Sequence, residues 1–125
     1  MKIEIERTNN AEKNGYVISN EVMTDAVERF MKSDTKHVFL NSETYRPQNR
    51  LDCICATVDA IRIDKGQHIT AYITPTTNYA GEVFNTLMEN KAKMKFIFDG
   101  WYEKPKNTEQ ISNLILLSIH TFADI

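Results

Sequence analysis

The spacing of apolar residues along the chain predicts about six β-strands. Alternation is clearest near the N-terminus, in KIEIE, where Ile3 and Ile5 would point into a core. The other extended segments are predicted at residues 16–18, 37–40, 51–63, 68–74, 93–102 and 113–122. Apolar positions change parity near residues 57–60, which predicts a bulge or strong bend there. The last segment is an unbroken apolar run, which predicts a strand buried on both faces.

The stretch KMKFIFDGWY, residues 93–102, combines alternating lysines with large apolar side chains. Met94, Phe96 and Phe98 would share one buried face of this strand. Lys95 and Ile97 would then lie on the opposite face. The Asp-Gly pair at 99–100 permits a bend, and the polar stretches 41–50 and 104–110 are predicted to be surface loops.

Helical spacing of apolar residues occurs in two further segments, at about residues 20–33 and 78–90. Ser19 or Asn20 can cap the first helix, and Asn90 is a plausible end for the second. No repeat, low-complexity tract or linker interrupts residues 1–125, so a single α+β domain is expected. The expected architecture is a bent, mostly antiparallel sheet or small closed barrel with two packing helices, because closure removes exposed sheet edges.

Composition narrows the classes of partner. The chain has 125 residues, which is long enough to form one hydrophobic core. Its formal net charge of −2 provides no positive field to attract nucleic acid. No run of about 18 apolar residues is present, so no membrane span is predicted. The N-terminus lacks the apolar region of a secretory signal. The sequence therefore predicts a cytoplasmic protein that binds neither membrane nor nucleic acid.

Candidate catalytic and metal-binding residues are few. Cys53 and Cys55 lie two positions apart with no histidine nearby in sequence, which is a poor metal site. The glycines stand singly, so no phosphate-binding loop is predicted, and neither a metal nor a cofactor is expected. Either cysteine could pair with His120 if their strands adjoin, and Asp99 could then orient the histidine.

The segment NGYVISNEVMTDAVERFM resembles the opening of the tailed-phage prohead maturation proteases, which share the assemblin-like fold. The resemblance continues in order through residues 14–123. Its further counterparts are FLNS, VDAIRIDKGQHITAYI, AGEVFNTLMEN, KFIFDGWY and LILLSIHTF. It implies one assemblin-like domain spanning the chain.

The resemblance also implies where a catalytic triad would lie. The family's histidine falls on Ser42, its nucleophilic serine on Ile97 or Phe98, and its third member on His120. A serine protease requires a hydroxyl group activated by an adjacent base. Because Ile97 and Phe98 have no hydroxyl, these positions are vestigial and no catalytic residue is expected.

The function expected is therefore that of a non-catalytic phage-type protein on a prohead-protease-like scaffold. Such a protein would bind other proteins as a capsid or virion assembly component, in the host cytoplasm or in the virion. A small phage-encoded inhibitor of a host protein or defence system is one alternative, and an enzyme with a rearranged Cys/His site is another. The family fold also allows a homo-oligomer paired through the first helix. The residues expected to bind the partner are Tyr45, Arg46, Arg50, Trp101, Tyr102 and Lys104.

Overall fold

The computed structural model describes residues 1–6, 17–41, 51–64 and 68–123. These residues form six strands and two helices. The strands are β1 (Lys2–Ile5), β2 (His37–Leu40), β3 (Ile54–Ile63), β4 (Ile69–Pro75), β5 (Met94–Glu103) and β6 (Asn113–Ala123). The helices are α1 (Asn20–Lys32) and α2 (Tyr79–Glu89), and a 3-10 turn, Leu51–Cys53, precedes β3.

All six strands belong to one curled sheet with the order β1-β4-β3-β2-β6-β5. Neighbouring strands are antiparallel except for β2 and β6, which pair in parallel. The two edge strands approach each other where the backbone N–H of Glu6 donates to the Phe96 carbonyl over 2.8 Å. The chain is thus a small α+β domain built on a half-barrel, which confirms the predicted fold class.

Both helices begin at the residues that the sequence favours. The Ser19 hydroxyl accepts a hydrogen bond from the Val22 N–H at 3.2 Å, and the Asn78 side chain accepts one from the Gly81 N–H at 2.9 Å. These side chains satisfy N–H groups that have no partner inside the first turn of a helix. The second helix ends at Asn90, as predicted.

The helices and the sheet share a single core. Phe30 of α1 contacts Phe98 edge-on with 6.0 Å between ring centroids, and Phe84 of α2 contacts Phe96 in the same way at 6.1 Å. Aromatic rings prefer this edge-to-face arrangement. Phe96 and Phe98 are both buried, which confirms the face predicted for them. Ile3 and Ile5 are also buried in this core.

Register shifts interrupt the sheet at several points. One lies between Val58 and Ala60, where the apolar parity of the sequence predicts it. Another lies between Asp99 and Gly100, but β5 continues past it to Glu103 instead of ending there. A bulge of this kind bends a strand and reorients its side chains without breaking the pairing on either side.

Two predicted strand segments are corrected. Residues 51–53 form a 3-10 turn, so β3 begins only at Ile54. Within the segment 16–18, Val17 makes an isolated bridge to Gln110 and forms no strand among the described residues. The Val17 N–H donates to the Glu109 carbonyl over 2.7 Å, and the Val17 carbonyl accepts from the Ile111 N–H at 2.8 Å, so pairing here is limited to one residue.

The prediction that the last strand is buried on both faces is wrong for its first half. Leu114 and Leu116 are buried, whereas Ile115 and Leu117 are exposed. The core face here packs against α1, whose Arg29 donates to the Leu114 carbonyl over 2.7 Å. The opposite face of β6 remains open at Ile115 and Leu117. In this half of β6, only one face of the apolar run is covered by other parts of the described structure.

Candidate functional site

The pairing of β6 with its two neighbours gathers polar side chains around His120. In the sheet register, His120 lies opposite Phe39 of β2 on one side and Ile97 of β5 on the other. Ser118 lies opposite Asp99. We call this group the His120 cluster; its members are Phe39, Asn41, Ile97, Asp99, Ser118 and His120. It lies on the outer face of β5 and β6, the side opposite Phe96 and Phe98.

The imidazole of His120 is fully buried and is contacted at both nitrogens. Its Nδ1 lies 2.7 Å from the Asn41 side-chain nitrogen, and its Nε2 lies 2.9 Å from the Ser118 hydroxyl. The nearer carboxylate oxygen of Asp99 is 3.8 Å from Nε2. The Phe39 ring stacks on the imidazole with a centroid distance of 5.4 Å. The histidine thus joins β2, β6 and β5.

The hydrogen-bond network assigns the tautomer of His120. The Asn41 amide nitrogen also lies 3.1 Å from the Phe39 carbonyl, which can only accept, so this nitrogen is the donor to Nδ1. The neutral ring therefore carries its proton on Nε2 and donates towards Ser118. Burial lowers the pKa of His120 below its usual value of 6.5, and the Asp99 carboxylate, which raises the pKa, offsets only part of this effect.

This arrangement does not activate a nucleophile. A general base must accept the hydroxyl proton through a ring nitrogen that is free to do so. In the His120 cluster, the nitrogen that faces Ser118 already carries the proton, and Ser118 itself is buried. In the described geometry, both ring nitrogens of the buried His120 have hydrogen-bond partners within the chain.

The structure brings together only some of the predicted catalytic positions. Ile97 and His120 are direct neighbours across β5 and β6. The resemblance requires this, because it places the family's nucleophile at Ile97 or Phe98 and the third triad member at His120. Phe98 lies on the opposite face, in the core, so Ile97 is the residue that faces the cluster. Ser42 lies outside the described residues, although Asn41 contacts His120.

The alternative pairing of a cysteine with His120 is not formed. Strand β2 lies between β3 and β6, so Cys55 is two strands away, at a spacing of about 4.8 Å per strand. Burial also raises the pKa of the Cys55 thiol to about 12, so it stays protonated. Cys53 lies in the 3-10 turn before β3, with its sulfur 3.9 Å from an Asp52 carboxylate oxygen. The rearranged Cys/His site requires the cysteine strand and the His120 strand to adjoin, and β3 and β6 do not.

Next to the His120 cluster, the same face exposes three large apolar side chains. Trp101 is 71% exposed, Ile115 48% and Leu117 38%. Trp101 lies directly opposite Ile115, and Leu117 is the extra residue where β6 shifts register against Asp99 and Gly100. We call these three residues the β5–β6 patch. Trp101 is thus a surface residue and contributes little to the core.

Gly100 makes the close approach of the two strands possible at this shift. A side-chain carbon added at Gly100 would overlap the backbone carbonyl of Ile115. Glycine is the residue that allows such contact between backbones. The Asp-Gly pair that predicts a bend in the sequence therefore positions Trp101 beside Ile115.

Of the other predicted binding residues, the two that the structure describes, Tyr102 and Lys104, do not form one surface with Trp101. Tyr102 lies opposite Leu114 on the other face of the sheet, although it is partly exposed. The Lys104 ammonium donates to the Thr108 carbonyl over 2.9 Å and so folds back on its own loop. The remaining predicted residues, Tyr45, Arg46 and Arg50, lie outside the described residues.

Sequence reasoning missed Ile115 and Leu117 as surface residues. An unbroken apolar run has the same pattern in a doubly buried strand and in a strand with one open face. Asn41 and Ser118 were missed for a different reason, since their contacts with His120 depend on strand pairing. The only local signal was the departure from apolar character at Ser118 and His120, at the end of the run.

Compared with known proteins, the chain matches no family model, no curated protein and no solved structure. Within the described residues, no helix is long and apolar enough to cross a membrane. The same residues contain no group of three or more His, Cys, Asp or Glu side chains arranged to hold a metal ion. What they do offer is a buried polar cluster and, beside it, an exposed apolar patch.

Proposed function

We propose that the chain is a non-catalytic protein-binding domain that contacts its partner through the β5–β6 patch. The observation that carries this proposal is the exposure of Trp101, Ile115 and Leu117 side by side on a paired, ordered part of the sheet. Contiguous apolar surface of this kind marks interaction sites. Tryptophan in particular is enriched among the residues that dominate binding energy.

The His120 cluster supports a binding role over a catalytic one. Its histidine is neutral and buried, and the Ser118 hydroxyl accepts a hydrogen bond from the ring N–H. The buried Cys55 thiol stays protonated. Neither group provides the activated nucleophile that a hydrolase or transferase of this type requires.

The setting that we propose is the assembly of a phage-type capsid or virion, on a prohead-protease-like scaffold. Three observations support it. The described elements follow the order that the resemblance implies for the family, namely a helix, a short strand, a long strand with its hairpin, a second helix and two further strands. Ile97 adjoins His120, and Asn41 reaches the same imidazole from β2. A lost nucleophile at Ile97 would leave the scaffold intact and its surface available for binding.

Affinity purification from the cells that make the protein tests this function. The tagged wild-type chain and a Trp101→Glu variant are compared by quantitative mass spectrometry, with Leu51→Glu as the matched control. Leu51 is 80% exposed and lies outside the β5–β6 patch. We expect a capsid-shell or scaffolding protein to be enriched by wild type and by the control, and to be lost with Trp101→Glu.

Other outcomes separate the alternatives. Enrichment of a host enzyme or defence protein, lost in the same way, would favour the small inhibitor over the assembly component. A partner that binds the wild type and the Trp101→Glu variant equally would contradict binding through the β5–β6 patch. Circular dichroism of each variant excludes unfolding as the cause of a lost interaction.

A further inference from the structure

Acidic side chains border the β5–β6 patch along β5. Alternate residues of a strand lie on the same face, so Asp99 and Glu103 lie on either side of Trp101. The Asp99 side chain is 41% exposed, and Glu103 is exposed. Their partners across the sheet, Ser118 and Asn113, are uncharged. Along this strand, therefore, the apolar centre has an anionic group at each end.

Among the described residues, two basic side chains near this border donate hydrogen bonds to neutral oxygens of the chain, and a third lies further along β5. The Arg29 guanidinium donates to the Asn113 side-chain oxygen over 3.2 Å and to the Leu114 carbonyl over 2.7 Å. The Lys104 ammonium is bound to the Thr108 carbonyl. Lys95 lies on the same face but six positions from Trp101, about 20 Å along the strand. The carboxylates remain the charges closest to Trp101 along β5.

We propose that the partner docks an extended segment in which an apolar side chain is flanked by basic ones two positions away on each side. This inference rests on the proposed function and names the chemistry of its partner. The apolar side chain would cover Trp101, Ile115 and Leu117. The flanking cations would reach Asp99 and Glu103. Arginine suits these positions best, because its guanidinium pairs with a carboxylate through two hydrogen bonds and stacks on an indole ring.

The same charges disfavour a second copy of the chain as the occupant. A two-fold axis placed over the Trp101–Ile115 pair would set Asp99 of one copy near Glu103 of the other. Both contacts would then join like charges, which repel and oppose association. A partner with basic flanks instead makes complementary pairs at both ends of the β5–β6 patch.

The single tryptophan of the chain makes a direct test possible. Trp101 is the only tryptophan, so its emission reports on the β5–β6 patch alone. The purified full chain is titrated with a short peptide that has a central leucine, an arginine two positions to each side, and serine elsewhere. Two control peptides replace either the arginines by glutamates or the leucine by serine.

We expect a blue shift of the Trp101 emission that saturates with the arginine–leucine peptide. The glutamate peptide should bind about tenfold or more weakly, and added salt should reduce the difference. The serine-centred peptide should bind more weakly and produce little shift. The double variant Asp99→Asn, Glu103→Gln should bind the arginine and glutamate peptides about equally, while circular dichroism shows an unchanged fold.

Several results would overturn the inference. Equal binding of the arginine and glutamate peptides by the wild type would show that charge does not select the partner. No shift with any peptide would also contradict it. If, in either case, Trp101→Glu still loses the purified partner, the proposed function stands and only the partner chemistry is wrong. An emission shift that depends on protein concentration alone would identify a second copy as the occupant.

Discussion

The outer face of β6 contains two neighbouring stretches that differ in both polarity and exposure. At Ser118 and His120 polar side chains are buried, and at Ile115 and Leu117 apolar side chains are exposed. The two stretches adjoin where β5 and β6 shift register at Asp99 and Gly100. Each is the reverse of the usual rule that apolar residues are inside and polar residues outside.

The two stretches differ in whether other parts of the chain bond or cover their side chains. His120 has a partner at each ring nitrogen, so its burial leaves no polar group of the ring unsatisfied. Trp101 and its neighbours leave apolar surface in contact with water, which only another molecule can cover. The buried polar residues thus have hydrogen-bond partners within the chain, whereas the exposed apolar residues are the basis of the proposed binding surface.

The largest expected difference between the two stretches is in how much a substitution lowers the free energy of unfolding. His120→Ala leaves a cavity and removes one hydrogen bond from each of Asn41 and Ser118, so it should lower the free energy of unfolding by about 2–4 kcal/mol. Trp101→Ala removes a larger side chain but should cost only about 0.5 kcal/mol, because most of that side chain is already in water. Urea denaturation followed by circular dichroism measures both. A greater loss for Trp101→Ala than for His120→Ala would contradict the comparison.

The junction between the two stretches should be the next most sensitive point. Gly100→Ala places a side-chain carbon against the Ile115 carbonyl, so the strands must move apart, at a cost of about 1–3 kcal/mol. The variant should also change the emission of Trp101, which lies next to it. Ala80→Gly, in the first turn of α2, serves as a control for a change of similar size elsewhere. An unchanged emission and melting temperature would show that the close approach is unimportant.

A smaller effect should appear as a pH dependence of stability to which His120 contributes. The pKa of His120 is lowered in the folded state, so below about pH 6.5 the unfolded chain binds a proton that the folded chain does not. Stability should thus be full above pH 6.5 and should fall as the pH decreases towards the folded-state pKa. The slope from this group is at most about 1.4 kcal/mol per pH unit.

The variant His120→Gln isolates this contribution. Glutamine does not titrate, so the difference between the wild-type and variant stability curves should change below pH 6.5 and be constant above it. A constant difference across the whole range would show that His120 titrates alike in both states. All other residues are the same in both proteins, so the difference between the two curves reports on residue 120.

The last prediction is the absence of a reaction between the protein and a probe for serine hydrolases. A fluorophosphonate probe should not label Ser118, because its hydroxyl is buried and faces a ring nitrogen that donates. Mass spectrometry of the treated protein measures the labelled fraction, with an active serine hydrolase as the positive control. Stoichiometric labelling of any serine would overturn the non-catalytic proposal.

Sequence patterns predicted the parts of this fold that local interactions decide. Helix α1 begins after Ser19 and α2 after Asn78 because capping groups act within a single turn. The parity change near residue 59 marked a real register shift. The alternation of Phe96 and Phe98 identified the core face of β5.

The candidate site depends on contacts that local patterns do not determine. Asn41 and His120 are 79 positions apart, and only the pairing of β2 with β6 brings them together. The exposure of Ile115 similarly depends on which faces of β6 the helices pack against. A single sequence constrains such pairings weakly, because a shift by one residue exchanges the faces of a strand.

The parallel pairing of β2 with β6 has a consequence for the order in which the chain folds. β2 ends at Leu40, but one of its two neighbours, β6, is made only from residues 113–123, after the other five strands of the sheet. Contacts between such distant residues slow folding, typically to milliseconds or longer. Until β6 arrives, β2 exposes an unpaired edge in the centre of the future sheet. The nascent chain therefore completes its sheet only when its last strand inserts between β2 and β5.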